Sequence, residues 1–573
     1  MSTIYKIHPA VGVARVGPGN QPYDCPTVAG GLPTIGGVPT TAFRDADGKL
    51  NPQSAVFQVY AYDSAKLDDP GTPVQIGKGG VTDINWTVWL ANKKACWFKF
   101  AGPNGEDGYP ANHVLRNSKF TGDRQTLVLD PGPKSVSSAN AGSASFDLAR
   151  ADLKKLKPFP VTSLGSIQAS TNGELRVTGG PGNSGAAVAR IKDFANNDGW
   201  FDEIADGPVS AKVTVKGKSV DVQVPAWVLC GPPKFAPQIP NLVTLRDTIY
   251  DIAVREQNYN PPLFKDGKFQ DSYRPNFNSE IKPILGRPGL YQWVAQLPKS
   301  GTVPHGRLPA TPAGAAQFIF SVIRPPDQPN AQIAPDGFST YMPYLAGDNP
   351  FYGAPAKPAI FLTVTRTQYF LLGQWAKGLV DNGPAKPLPP AIALDYGVLD
   401  SCVGGPFVPG IEITWISRNP VIYKDPFRIN HRANLTQGKL RFPQPNTAFT
   451  MQKLFGDGVE PGDLSSFMAQ PWQADYDQCS VQFDPGEKAF GVEIKFVLWW
   501  WAAQRPDWVF RPKADGSGLE QVPWIASSDP GGGTNINLGG VRMVKKWMDL
   551  GFVLKEGDSY VLKQTNPSGG PIV

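Results

Sequence analysis

Asp475 and Cys479 stand four residues apart in Pro471-Trp472-Gln473-Ala474-Asp475-Tyr476-Asp477-Gln478-Cys479, and Trp547 follows in Met543-Val544-Lys545-Lys546-Trp547-Met548-Asp549-Leu550-Gly551-Phe552-Val553. On a helical turn, side chains at i and i+4 share a face, so Asp475 can sit beside whatever group Cys479 carries. A carboxylate, a thiol and an electron-rich indole together look like the raw material of a protein-derived quinone. Taken alone, an Asp-x-x-x-Cys pair is a weak indication, because a free cysteine commonly serves as a small buried hydrophobe. Cys402 and Trp472 form a rival pair at a similar separation, with Asp400 two residues before the cysteine, and spacing does not choose between the pairs.

Whatever these residues do, they must be held by a large structure. At 573 residues the chain exceeds the size at which one core keeps growing, so two or more cooperating domains are expected. Gly 61 and Pro 58 favour short strands and structured turns over long helices. Apolar positions alternate from about residue 120 to 235, and Val213, Val215, Val220, Val222 and Val224 around Gly217-Lys218-Ser219 read as a hairpin with one buried face. Helical spacing appears over Val243–Ala253 and again over Thr367–Gly378. The pattern predicts an α+β, β-rich chain, with an N-terminal β domain over 1–235 and a mixed, loop-rich C-terminal domain over 236–573 carrying the chemistry. Pro-rich stretches at 230–237 and 383–390 are the natural boundaries or long ordered connections.

Composition removes several function classes. The net charge of +6 comes from scattered basic residues, without the tracts that follow a phosphate backbone, so nucleic acid is not an expected partner. Lys6, His8 and Pro9 interrupt any secretory signal at the N-terminus, and the longest strongly apolar run, 496–503, falls far short of the roughly 20 residues that span a bilayer. A cytoplasmic protein without a membrane segment is expected. Five dispersed cysteines fit reduced thiols rather than a disulfide framework, and with four histidines and no metal-ligand spacing no metal is expected.

Several motifs have plainer readings. Gly180-Pro181-Gly182-Asn183-Ser184-Gly185 satisfies Gly-x-Gly-x-x-Gly after a plausible strand, but Pro181 and the turn-rich surroundings argue against a dinucleotide loop. Asn196-Asn197-Asp198-Gly199 lacks the carboxylates of a calcium loop, since Phe194 and Ala205 would occupy its first and twelfth positions, and reads as a turn. Trp499-Trp500-Trp501 reads as core packing, with one face able to shield a quinone pocket. His431 and Tyr476 are the remaining residues able to orient a substrate through a single hydrogen bond.

His8–Gly17, Asp206–Ala211, Cys402–Glu412, Pro471–Asp475, Trp499–Asp507 and Trp547–Val553 follow one another along nearly the whole chain. In that order they resemble the segments of the cysteine tryptophylquinone-dependent amino-acid oxidases, the bacterial family that contains L-lysine ε-oxidase and glycine oxidase. The resemblance implies that Cys479 and Trp547 are the two cofactor residues, joined by a thioether, with two oxygens added to the Trp547 ring. It implies that Asp475 is needed for cofactor formation and acts as catalytic base, a role worth about 10²- to 10⁴-fold. An amino acid or primary amine would be deaminated with O2, giving hydrogen peroxide and ammonia. By the same resemblance the partners are a separate flavoprotein that matures the quinone and further copies of the chain, as dimer or tetramer, and release by an unconventional route stays open. Cys402 then becomes a buried cysteine near the site. The alternatives are a family member that has lost oxidase activity and serves as a binding or structural protein, and a specialised biosynthetic enzyme acting on an unusual amine.

Overall fold

The computed structural model describes residues 3–66, 69–100, 114–296, 313–329, 331, 334–337, 339, 341–345, 347, 361–405, 410–444, 450–478, 488–489, 492–493, 501–524 and 536–565. Its secondary structure is mixed, with about 29% strand and 22% helix. Among the described residues, the large sheet is drawn entirely from the first 231.

The order across that sheet is Ser143–Asp147, Ser163–Ala169, Leu175–Gly179, Gln53–Asp63, Val11–Arg15, Ala226–Gly231, Ala205–Val215, Val81–Val88 and Lys134–Ser137. Neighbours are antiparallel except Val11–Arg15 and Ala226–Gly231, which run parallel at the centre. Those two strands are buried throughout, as their nearly continuous apolar sequences require. Successive side chains alternate between faces. Ala14, Val228 and Cys230 join the core that also holds Phe57, Trp86 and Ile167, whereas Val11, Val13, Trp227 and Leu229 pack with Leu245, Ile249 and Leu399 of the helical half. Gly12 is required here, because a Cβ would lie 2.3 Å from Cζ of Phe57.

The hairpin expected around Gly217 is present, with Lys216 and Gly217 at φ +48° and +76° and Val213 opposite Val220. Beyond Asp221 the chain departs from the simple alternation. Val224 crosses to bridge Lys6, because Thr3–His8 offers that end of the chain a second edge.

Both expected helices form. Leu245–Glu256 opens with a reciprocal cap in which Asp247 N donates to Thr244 Oγ1 and Thr244 N donates to Asp247 Oδ2. Leu245, Ile249, Ile252 and Ala253 then fall on its buried face at helical spacing. Arg366–Ala376 is capped in the same way by Thr365 and Gln368.

The sheet and the helical half are tied by buried charge. Arg15 pairs with Glu412 and donates Nη1 to Pro232 O at 2.8 Å, while Glu412 also accepts Val403 N at 2.8 Å. Removing one partner strands the other in a dry interior. Glu412→Ala is therefore expected to cost about 3–5 kcal/mol in urea unfolding, and Arg15→Met combined with Glu412→Leu less than either single change. A Glu412→Ala midpoint equal to wild type would show that the pair contributes nothing.

Candidate active site

Trp547 begins a single 3-10 turn, Trp547–Asp549, directly after the helix Ile536–Lys546, and its side chain is fully buried. The helix Trp472–Gln478, which carries Asp475, packs against Ile536–Lys546. The Trp472 and Trp547 rings meet edge to face, at 5.0 Å between centroids and 73° between planes, a favourable geometry for an aromatic pair. Val16, Leu50, Met468, Tyr476, Trp501 and Met543 belong to the same apolar cluster as both tryptophans. Trp501, the described member of the Trp499–Trp501 run, thus packs in the core as expected.

Asp475 is buried, at 1% exposure, in the first turn of its helix. That short helix starts where it does because Asp202 Oδ2 accepts the Trp472 backbone N–H at 3.0 Å. Asp202 is itself fixed by Asn92 Nδ2 at 2.9 Å and by a buried ion pair with Lys94. Burial pushes the Lys94 ammonium down to about 8, against the carboxylates of Asp202 and Asp475, which favour its charged form. No buried cation within the field of Asp475 was singled out from the sequence.

The Gly180–Gly185 segment proves to be the wall of this site. Its strand Leu175–Gly179 is followed by another strand, Ser184–Ala186, so the strand-turn-helix of a dinucleotide fold is absent from this segment. Gly182, at φ +86°, lies against the Trp547 ring so closely that a Cβ would be 2.9 Å from Cζ2. Its carbonyl accepts Trp472 Nε1 and Gln473 Nε2, each at 3.2 Å, and Ser184 Oγ donates to Gln473 Oε1 at 2.6 Å. The same turn is tied from behind by Glu203, whose carboxylate accepts Asn183 N at 2.8 Å, Thr162 N at 2.6 Å and Ser163 N at 3.2 Å.

Burial raises the Glu203 carboxyl from 4.5 to about 7, so the folded state holds a proton that the unfolded chain releases. The contribution of this group to stability is complete below about pH 4.5 and is lost as pH rises to 7, by up to roughly 3 kcal/mol. Urea midpoints of wild type are expected to fall more between pH 5 and 7.5 than those of Glu203→Gln. Parallel pH profiles for the two would refute the assignment.

Of the residues singled out by sequence, Asp475, Trp547 and Tyr476 are brought to one core. Tyr476 directs its hydroxyl to Pro233 O at 2.7 Å and its ring toward Trp501. His431 packs instead edge-on against Trp227, with its pKa pushed down to about 4 by burial. Cys402 is grouped with the Trp227 cluster rather than that of Trp472, and donates its thiol to Val398 O at 3.2 Å. Cys479 lies outside the described residues. Among the described residues no group of three or more His, Cys, Asp or Glu is placed to hold a metal, and no helix is long and apolar enough to cross a membrane.

Trp547 fits a ring that is to be modified. Its indole N–H has no hydrogen-bond partner among the described residues, and a glycine stands where a side chain would press on the six-membered ring.

Comparison with known proteins agrees with this geometry. Residues 8–230 match the family model described as L-lysine epsilon oxidase N-terminal, and residues 343–501 match the L-lysine epsilon oxidase C-terminal domain. L-lysine 6-oxidase of Marinomonas mediterranea is 33% identical over 532 residues, covering 83% of this chain and 71% of that protein. Two crystal structures of the L-Lys epsilon-oxidase from Marinomonas mediterranea also match, each covering 98% of this chain and 95% of that one. One is the Schiff base intermediate with L-Lys, at TM-score 0.79 and 26% identity, and the other has TM-score 0.80 and 26% identity. The chain belongs to the L-lysine ε-oxidase family and is a cysteine tryptophylquinone-dependent amino-acid oxidase.

Proposed function

We propose that this oxidase builds its quinone from Cys479 and Trp547 and uses Asp475 as base on a lysine-like amino acid, releasing ammonia and hydrogen peroxide. The observation that carries the reading is the packing of the Asp475 helix, through Trp472, against a fully buried Trp547. The quinone supplies the electron sink that unmodified side chains lack. The chain's own residues do the rest. Asp475 takes the proton from the substrate carbon that bears the amine, and the Asp202 cap and Lys94 hold the helix from which it acts. Trp472, Trp501 and Val16 belong to the apolar cluster that surrounds the Trp547 ring and keeps water from it. A lysine-like substrate is proposed because the 33% identical relative is named for lysine.

The same reading carries a flavoprotein maturation partner, a homodimer or homotetramer and a cytoplasmic location. A boundary near residue 235 is proposed between the sheet and the helical half, although the clusters around Trp547 and Trp227 draw residues from both sides of it.

The test is an intact mass and peptide map of the chain co-expressed with the flavoprotein that matures it. A Cys479–Trp547 cross-link with two added ring oxygens is expected, together with peroxide release from L-lysine. Finding both peptides unlinked, under conditions that mature a relative, would refute the assignment of the two residues.

A further inference from the structure

We propose that Gly182 is a positioning residue for quinone formation: having no side chain, it lets the Cζ2 edge of Trp547 rest against the turn backbone, which sets the ring where it can be cross-linked. The inference rests on the assignment of Trp547 and Cys479 above.

The six-membered ring of an indole has four C–H carbons, Cε3, Cζ3, Cη2 and Cζ2. A thioether and two adjacent oxygens replace hydrogen on three of them, so only one keeps its hydrogen. Room along this edge is therefore the scarce quantity in a fully buried pocket, and at Cζ2 it is supplied by a missing side chain.

An added Cβ would lie 2.9 Å from Cζ2 of Trp547 and 2.7 Å from Cγ2 of Val16, inside van der Waals contact on both sides. The turn is poorly placed to yield. Its Gly182 carbonyl is held by Trp472 and Gln473, its Asn183 N–H by Glu203, and its Gly180 carbonyl by Gly17 N at 2.9 Å. The ring must give way instead. A displacement of about 1 Å between reacting groups costs on the order of 10²-fold in rate, so an alanine should slow the cross-link far more than it disturbs the fold.

Gly199 provides the control for backbone strain, because its φ of +82° matches Gly182 while nothing lies within 4 Å of its added Cβ. Wild type, Gly199→Ala, Val16→Ala and Gly182→Ala are co-expressed with the maturation flavoprotein. The cross-linked fraction is read by intact mass after a short, fixed maturation time, and the fold by circular dichroism and urea midpoint. Gly182→Ala is expected to be folded, with a midpoint near that of Gly199→Ala, and cross-linked at least about tenfold less than wild type. Gly199→Ala should cross-link as wild type does, and Val16→Ala gives the reference for the double variant with Gly182→Ala. If Gly182→Ala does not fold, Gly182→Ala combined with Val16→Ala removes the clash with Val16 and keeps the one with the ring. That double variant, folded and unlinked, supports the proposal. Either variant folded and cross-linked to the wild-type extent overturns it, and a wild type without the cross-link overturns both this proposal and the assignment of the two residues.

Discussion

Trp547→Phe is expected to abolish peroxide release, to below about one part in 10⁶ of wild type, because without an electron sink the reaction returns toward its uncatalysed rate. The substitution should leave the protein folded. It removes a buried indole at a cost of about 1–3 kcal/mol in lost packing, and the indole N–H it deletes satisfies no acceptor among the described residues. Cys479→Ser is the companion change, leaving the indole in place but without the sulfur that a thioether requires. Both are read by peroxide production with L-lysine and by intact mass. Activity within a hundredfold of wild type in Trp547→Phe would exclude this tryptophan as the quinone and return attention to Trp472, its neighbour at 5.0 Å.

Asp475→Asn is expected to lower kcat/KM by about 10²- to 10⁴-fold, the usual value of a positioned general base. The change is nearly isosteric in a site with 1% exposure, so the packing of the helix should survive. The two roles that the family resemblance implies for it, in maturation and as base, are separable. Intact mass gives the fraction that has matured, and activity expressed per cross-linked molecule then reports the base alone. Substrate deuterated at the carbon bearing the amine should show a larger isotope effect in Asp475→Asn, as proton removal becomes more fully rate-limiting. Full activity per cross-linked molecule would confine Asp475 to maturation.

Local features of this fold were readable in the sequence because they depend on local physics. The helical spacing over Val243–Ala253 and the alternating valines around Gly217-Lys218-Ser219 announce a helix and a hairpin, whatever the rest of the chain does. The shape of the site was not readable in the same way. Gly182 looked like part of a weak nucleotide motif, and only the crossing of distant segments puts it against Trp547, more than three hundred residues later. A glycine at positive φ leaves no trace in periodicity. Nothing in the local sequence marks Lys94 and Asp202, which are paired beneath the Asp475 helix only by the crossing of distant segments. His431 and Tyr476 were indistinguishable as lone polar aromatics, and the core to which each belongs separates them. Of the face that Asp475 and Cys479 were expected to share, only the Asp475 side is described, because Cys479 lies outside the described residues.

The pocket around Trp547 joins the two ends of the described chain. Val16, Phe43 and Leu50 share its core, and Arg44 donates Nη1 to Met548 O at 2.7 Å and Nη2 to Leu550 O at 2.9 Å. The ring is thus enclosed only after the C-terminal segment has been synthesised and threaded back onto strands made at the beginning. A nascent chain still on the ribosome has no such enclosure, and neither does a truncated one. Under the proposed assignment of Trp547, oxidative modification would act as an inspection step, in which a molecule becomes capable of producing peroxide only once these two distant segments have been brought together.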